Sequence, residues 1–162
     1  MKALFIGRFQ PFHKGHLHAI KQAMKKFDEV IIAIGSADKA NMKTNPFSFE
    51  ERKRMIRACL GKRVKIIDAE DKISDEEWAR SLVEKIKFDV VITGSDWVKK
   101  CFEGIKEVVK PDFLEPNKYN GTKIREKIAK GEKWKRLVPP QVSKLIQEVN
   151  GEERIKKLFE KG

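Results

Sequence analysis

Short apolar runs alternate along the chain with amphipathic stretches of helical period. Residues 3–6 (ALFI) form the first run, ended by Gly7, and residues 30–34 (VIIAI) form the second, ended by Gly35. Residues 64–67 and 90–93 make two more, and Val108 and Val109 mark a fifth that Pro111 confines to an edge or an end. Runs this short and β-branched, closed by glycine or polar residues, predict buried strands. Between them, Leu17, Ile20, Met24 and Phe27 fall on one helical face. Ser48 and Glu51 have capping-box spacing and open a helix that Gly61 ends; Ser74 and Glu77 repeat the spacing ahead of Trp78, Leu82 and Ile86. A polar loop is expected over 36–45, a short helix over 97–102, and helices over 120–131, 141–149 and 152–159.

Strands that alternate with helices predict an α/β fold: a parallel sheet with helices on both faces. The chain reads as a single domain, residues 1–162, with residues 121–162 forming a small helical appendage. In such sheets a ligand lies beyond the carboxyl ends of the strands, where the strand order reverses. The loops after strands one, two and four, with His13 and His16, Gly35 and Ser36, and Gly94 to Asp96, are expected to meet there.

Composition narrows the class. Charged residues make up 37% and hydrophobic ones 40% of 162 residues, a balance that folds around a real core. No apolar run approaches a membrane span and no signal-peptide pattern is present, so a cytoplasmic protein without a membrane partner is expected. Cys59 and Cys101 lack metal-type spacing and read as buried thiols of a reducing compartment. The net charge is +12, and from residue 123 onward twelve Lys or Arg face six Glu. That excess suits nucleotides, nucleic acid or acidic surfaces and does not choose among them.

The candidate chemistry begins where the first strand gives way to helix. His13 and His16 stand three apart at that helix start, beside Arg8. A helix N-terminus presents free N–H groups and a positive dipole end, which suit phosphate. The corner therefore reads as a polyphosphate pocket, although the pair by itself also fits two surface histidines. A metal site would need more ligands than stand nearby, and no metal-ligating residue is assigned.

Residues 7–16, GRFQPFHKGH, resemble the opening signature of the HxGH nucleotidyltransferase superfamily, and GRFQPFH is similar to the archaeal-type nicotinamide-nucleotide adenylyltransferases. Residues 120–125, NGTKIR, resemble the family's late motif, with Asn120 where Ser is usual; NPFSFEER (45–52) and GEKWKRLVP (131–139) continue the series. The resemblance implies a Rossmann-like fold and adenylyl transfer from ATP, with Mg²⁺, to nicotinamide mononucleotide, giving NAD and pyrophosphate by direct in-line attack. It assigns charge stabilisation to Arg8, His13, His16 and Arg125. Nucleotide contacts fall to Gly7, Phe9, Gly15, Gly35, Ser36, Gly94, Asn120, Gly121 and Thr122. Trp78 resembles the tryptophan that stacks on the nicotinamide ring, and Asp71 lies in a segment that contacts the mononucleotide. The helical spacing of Trp78 fits a core anchor equally; Trp97 reads as packing, Trp134 as structural, and Arg52 as either a substrate contact or an ion-pair former.

The family also implies a homo-oligomer. Two alternatives stay open: the same chemistry on flavin mononucleotide, phosphopantetheine or a cytidylyl-transfer substrate, and a non-catalytic nucleotide- or RNA-binding module that uses the basic C-terminal third. The interleaved glutamates and the intact HxGH motif weigh against nucleic acid.

Overall fold

The computed structural model describes residues 1–161. Five strands, β1 (Lys2–Gly7), β2 (Glu29–Gly35), β3 (Lys65–Ala69), β4 (Val90–Ile92) and β5 (Glu107–Val109), pair in parallel in the order β3–β2–β1–β4–β5. Between and after them come α1 (Lys14–Lys26), α2 (Phe49–Leu60), α3 (Asp75–Lys85), α4 (Asp96–Cys101), α5 (Gly121–Lys130), α6 (Pro140–Glu148) and α7 (Gly151–Lys161). Pro140 takes the first position of α6, where its missing N–H leaves no helical bond unmade.

The unbroken apolar runs follow from a sheet covered on both faces. Successive side chains of a strand point to opposite sides. Ala3 and Phe5 of β1, with Val30, Ile32 and Ile34 of β2, therefore enter one buried cluster with Ile20 of α1 and Met55 of α2. Leu4 and Ile6, with Ile31 and Ala33, enter the other, with Trp78, Leu82, Val98 and Phe102. β5 lies at the sheet edge, as Pro111 requires.

The C-terminal helical part shares the first of these cores: Ile124, Ile128, Val142, Ile146 and Ile155 pack in the same cluster as Phe5, Phe12 and Phe47. Arg154 of α7 joins it to α2 through paired bonds to Glu51 at 2.7 and 2.8 Å and a bond to the Pro46 carbonyl at 3.0 Å. Glu51 in turn accepts from the Ser48 N–H at 2.9 Å while the Ser48 hydroxyl accepts from the Glu51 N–H at 3.2 Å, the reciprocal box predicted from their spacing. At α3 only half of the expected box forms: Ser74 accepts from the Glu77 N–H at 3.2 Å.

The strand order reverses between β1 and β4. The chain leaves these two neighbours toward opposite faces, and the crevice between their carboxyl ends is the place where this architecture takes ligands.

Candidate active site

The loop leaving β1 turns sharply. Phe9 adopts a positive φ of 53°, which carries its ring back into the core against Phe5 and Phe12 and leaves its backbone at the crevice. Gly7 makes room for that ring: a Cβ there would stand 2.9 Å from the end of the Phe9 side chain. Arg8, between them, is exposed.

His13 and His16 cap α1 with each other. The Nδ1 of His13 accepts from the His16 N–H at 3.3 Å, and the Nδ1 of His16 accepts from the His13 N–H at 3.1 Å. The rings stack with centroids 3.6 Å apart and 19° between planes, and Phe9 meets His16 edge-on. Two orphan N–H groups of the helix start are satisfied in this way, by imidazoles where a hydroxyl or carboxylate is more usual. The bonds also settle the tautomer. With both Nδ1 atoms accepting, the neutral rings carry their protons on Nε2. Neutrality follows from the surroundings: burial lowers the His13 pKa from 6.5 to about 4, and burial together with the nearby His13 holds His16 well below its ordinary value.

The start of α5 faces them. Asn120 is its N-cap, accepting from the Lys123 N–H at 3.2 Å, so Asn serves where the related motif carries Ser. One turn on, Arg125 is buried and donates to the Gln10 carbonyl at 2.8 Å and to the Thr122 hydroxyl at 3.3 Å. Gly121 permits that approach, because a Cβ would lie 3.2 Å from the Arg125 Nη1 and 3.4 Å from the Gln10 oxygen. Burial, then repulsion from Arg8, lowers the Arg125 pKa to about 10, which leaves it charged at neutral pH. Two guanidiniums that repel each other at one pocket wall attract an anion between them.

Gln10, not singled out in the sequence, is the joint of this corner. Its buried amide bonds both ways with the Phe47 backbone, donating to the carbonyl and accepting from the N–H at 2.9 Å each. A polar residue inside the stiff apolar segment FQPF is the signal that would have found it. Arg52 is 0% exposed and has a positioning role. Its guanidinium donates to the carbonyls of Ser48, Arg8, Gly35 and Ser36 at 2.7 to 3.1 Å and to Lys39 at 3.4 Å, which clips the loops after β1 and β2 together.

Three cavities meet around Gly7, Arg8 and His16. One of about 220 Å³ is polar, lined by Arg8, His16, Asn120, Thr122, Arg125 and the backbone of Phe9. A second, about 300 Å³, is largely apolar; Gly15, His13, Gly94, Pro111, Phe113 and Tyr119 line it, and the Phe113 ring fills the space above Gly94, 2.8 Å from where a Cβ would be. The third, about 270 Å³, lies on the β2 side between Arg8, Gly35, Ser36, Asp71, Trp78 and Trp97. There the Ser36 hydroxyl meets an Asp71 carboxylate oxygen at 3.1 Å, while Trp78 is nearly buried, in contact with Trp97. Every residue assigned to the site from the sequence therefore borders one of three adjoining spaces. Gln10, Tyr119 and Phe113 were missed, because loop contacts across the crevice leave no periodic trace; Trp97, read as packing, packs against Trp78 and also lines the third space. Among the described residues no group of three or more His, Cys, Asp or Glu side chains gathers in a way that would hold a metal ion. Nor is any helix long and apolar enough to cross a membrane.

A family model described as cytidylyltransferase-like matches residues 4–133. The chain is similar to proteins named nicotinamide-nucleotide adenylyltransferase from Methanococcus vannielii, 42% identical over 99% of this chain and 96% of the relative, and from Archaeoglobus fulgidus, 38% identical over 96% of each. Among solved structures it is similar to a bifunctional NMN adenylyltransferase/ADP ribose pyrophosphatase from Francisella tularensis, crystallised with AMP and a manganese ion. That likeness has a TM-score of 0.77 at 28% identity and covers 97% of this chain. The chain spans about half of that bifunctional protein, 51% of its length.

Proposed function

The chain belongs to the cytidylyltransferase-like family and, within it, to the archaeal nicotinamide-nucleotide adenylyltransferases, and from that premise we propose that it transfers the adenylyl group of ATP to nicotinamide mononucleotide, giving NAD and pyrophosphate. The observation that carries the mechanism is the reciprocal imidazole cap. It leaves two neutral Nε2–H donors, His16 where the apolar and polar cavities adjoin and His13 on the apolar one.

The apolar cavity takes the adenosine, the polar one the triphosphate, and the β2-side cavity the mononucleotide. The mononucleotide phosphate then reaches the α-phosphorus past Gly7 and Arg8. Its oxygen forms the new P–O bond in line as the bond to the β-phosphate oxygen breaks and pyrophosphate departs. The attacking phosphate is already an anion at neutral pH, so no side chain has to accept a proton. Arg8, the His13 and His16 Nε2–H groups and Arg125 stabilise charge on the transferring and leaving groups. Thr122 and the first turn of α5 hold the far phosphates. Arg52 and Gln10 act through the loops they fix.

Mg²⁺ enters with ATP. The charged groups at the phosphate end are cations, the Asn120 amide oxygen and the Thr122 hydroxyl already accept from Lys123 and Arg125, and both Nδ1 lone pairs are used, so these residues do not fit a resident metal. The protein works as one domain in the cytoplasm and as a homo-oligomer; sedimentation of the purified protein tests the assembly.

The direct test is pyrophosphate release from ATP and Mg²⁺ with nicotinamide mononucleotide, nicotinic acid mononucleotide, flavin mononucleotide and phosphopantetheine. NAD formation with the first supports the proposal. Turnover only with another acceptor keeps the ATP side and overturns the acceptor, and silence with all four overturns the reaction.

A further inference from the structure

Arg125 and Thr122 of α5 line the polar cavity, and the same helix has another side. Residues four apart share a helix face and residues two apart lie on opposite sides, so Lys123 and Lys127 stand together away from Arg125. Gly131, at a φ of 74°, ends α5 and turns the chain back, and Trp134, 4% exposed, roots the returning segment in the core. Between α5, that segment, the turn at residues 117–118 and the start of α7 lies a groove of about 830 Å³. Lys118, Lys123, Lys127, Lys133, Lys135 and Arg136 line it, against two carboxylates, Glu132 and Glu152. Among the described residues Lys127 alone of these six cations has a carboxylate partner, Glu132 at 3.8 Å. The Lys123 ammonium donates to the Asn117 carbonyl at 2.8 Å, which uses one of its three protons and holds its charge at the groove.

We propose that this groove is a second, non-catalytic anion site whose ligand is a short phosphate chain, a di- or triphosphate, either free or as the tail of a nucleotide. The inference goes beyond the reaction proposed above and does not depend on it. Cations gathered around one concave space repel one another in the free protein, and an anion that bridges them relieves the repulsion. Five of the six are lysines, compact point charges that suit phosphate oxygens without demanding a fixed fork. Recognition is of phosphate and not of bases. Trp134 is the one aromatic residue lining the groove among the described residues, and its burial leaves no open face on which a base could stack. Glu132 and Glu152 interrupt the positive surface, which favours a short chain over a long polyanion. A phosphate chain held there lies across α5 from the polar cavity, beside it without occupying it.

The test is calorimetric titration of the full chain with tripolyphosphate and, separately, with ATP, at about 0.15 M salt. The unaltered protein is compared with a variant carrying Lys133→Gln, Lys135→Gln and Arg136→Gln, and with a second carrying Lys118→Gln and Lys133→Gln, all at exposed positions. In the expected result the triple variant loses one tripolyphosphate site per chain, the double variant binds there about tenfold more weakly, and kcat and the KM for ATP stay within about twofold in both. Tighter binding of tripolyphosphate than of ATP at the lost site identifies the free chain as the ligand, and the reverse identifies the nucleotide tail; either upholds the site. Equal stoichiometry and affinity in the unaltered protein and both variants overturns the proposal. So does binding that vanishes between about 0.05 and 0.15 M salt, the mark of a diffuse counter-ion cloud. A single-stranded oligouridylate that binds the groove more than about tenfold tighter than tripolyphosphate overturns it in favour of nucleic acid. If the chain proves inactive with every acceptor, the reaction falls separately, and the lost site in the triple variant still upholds the groove.

Discussion

The Arg125 guanidinium donates to the Gln10 carbonyl at 2.8 Å, joining residues 115 positions apart in the chain. The bond spans the crevice and fixes one cation of the polar cavity on the backbone of the β1 loop. Arg125→Lys keeps the charge and loses the fork that meets both Gln10 and Thr122. We expect kcat/KM for ATP to fall about 10²-fold, as for one lost transition-state donor, with the KM for the mononucleotide little changed. Steady-state rates of NAD formation check this; a loss under threefold would remove Arg125 from the charge-stabilising set.

His16 caps α1 through Nδ1, the proposed mechanism gives its Nε2–H a second role, and amide substitutions separate the two. In His16→Asn the short amide oxygen can still accept the His13 N–H, while the outer donor is gone. His16→Gln reaches the outer position and gives up the cap. The Asn variant is expected to melt within a few degrees of the unaltered protein and to lose about 10²-fold in kcat, and the Gln variant to show the reverse balance. Thermal melts beside kinetics decide the matter.

Acid should weaken the fold through the same pair. The folded protein keeps His13 neutral down to about pH 4, whereas the unfolded chain takes up that proton below 6.5. Between these values the unfolded state binds more protons, so stability is fully present above pH 6.5 and is lost as pH falls toward 4. The shift corresponds to about 3 kcal/mol. Urea unfolding at pH 7.5 and 4.5 should show the drop, and His13→Asn, which retains a cap acceptor, should flatten it.

Arg52 has backbone carbonyls as its hydrogen-bond partners. Arg52→Met fills the volume and leaves buried oxygens of both loops without a donor. A loss of about 3 kcal/mol or more in denaturant unfolding is expected. A loss below about 1 kcal/mol would show that water reaches those carbonyls.

Asn120 departs from the serine usual in related motifs, yet it caps α5 through the Lys123 N–H. Asn120→Ser should therefore be near neutral in stability, and Asn120→Ala should cost about 1 kcal/mol. Thermal denaturation of the two variants discriminates.

Much of the architecture was legible because it is local. Glycines ended β1 and β2, capping spacings opened α2 and α3, and Pro111 marked the edge strand. The two histidines were legible as a pair at a helix start, but not as partners. Which nitrogen accepts depends on ring stacking and on the φ of the turn, and neither is written in a spacing of three. Arg52 was ambiguous for a similar reason: its partners are carbonyls, and every residue has one.

The alternation of apolar runs and helical periods, with the motif around His13 and His16, sufficed by itself to determine a parallel α/β sheet and the end of it at which the candidate site lies, because burial period and turn chemistry act over a few residues. Tertiary structure alone decided how the site is held. The Gln10 bridge to Phe47, the Arg52 clip across two loops and the contact of buried Trp78 with exposed Trp97 all join segments separated in the chain. Such contacts are set by how packed elements meet in space, a property that no local window of sequence contains.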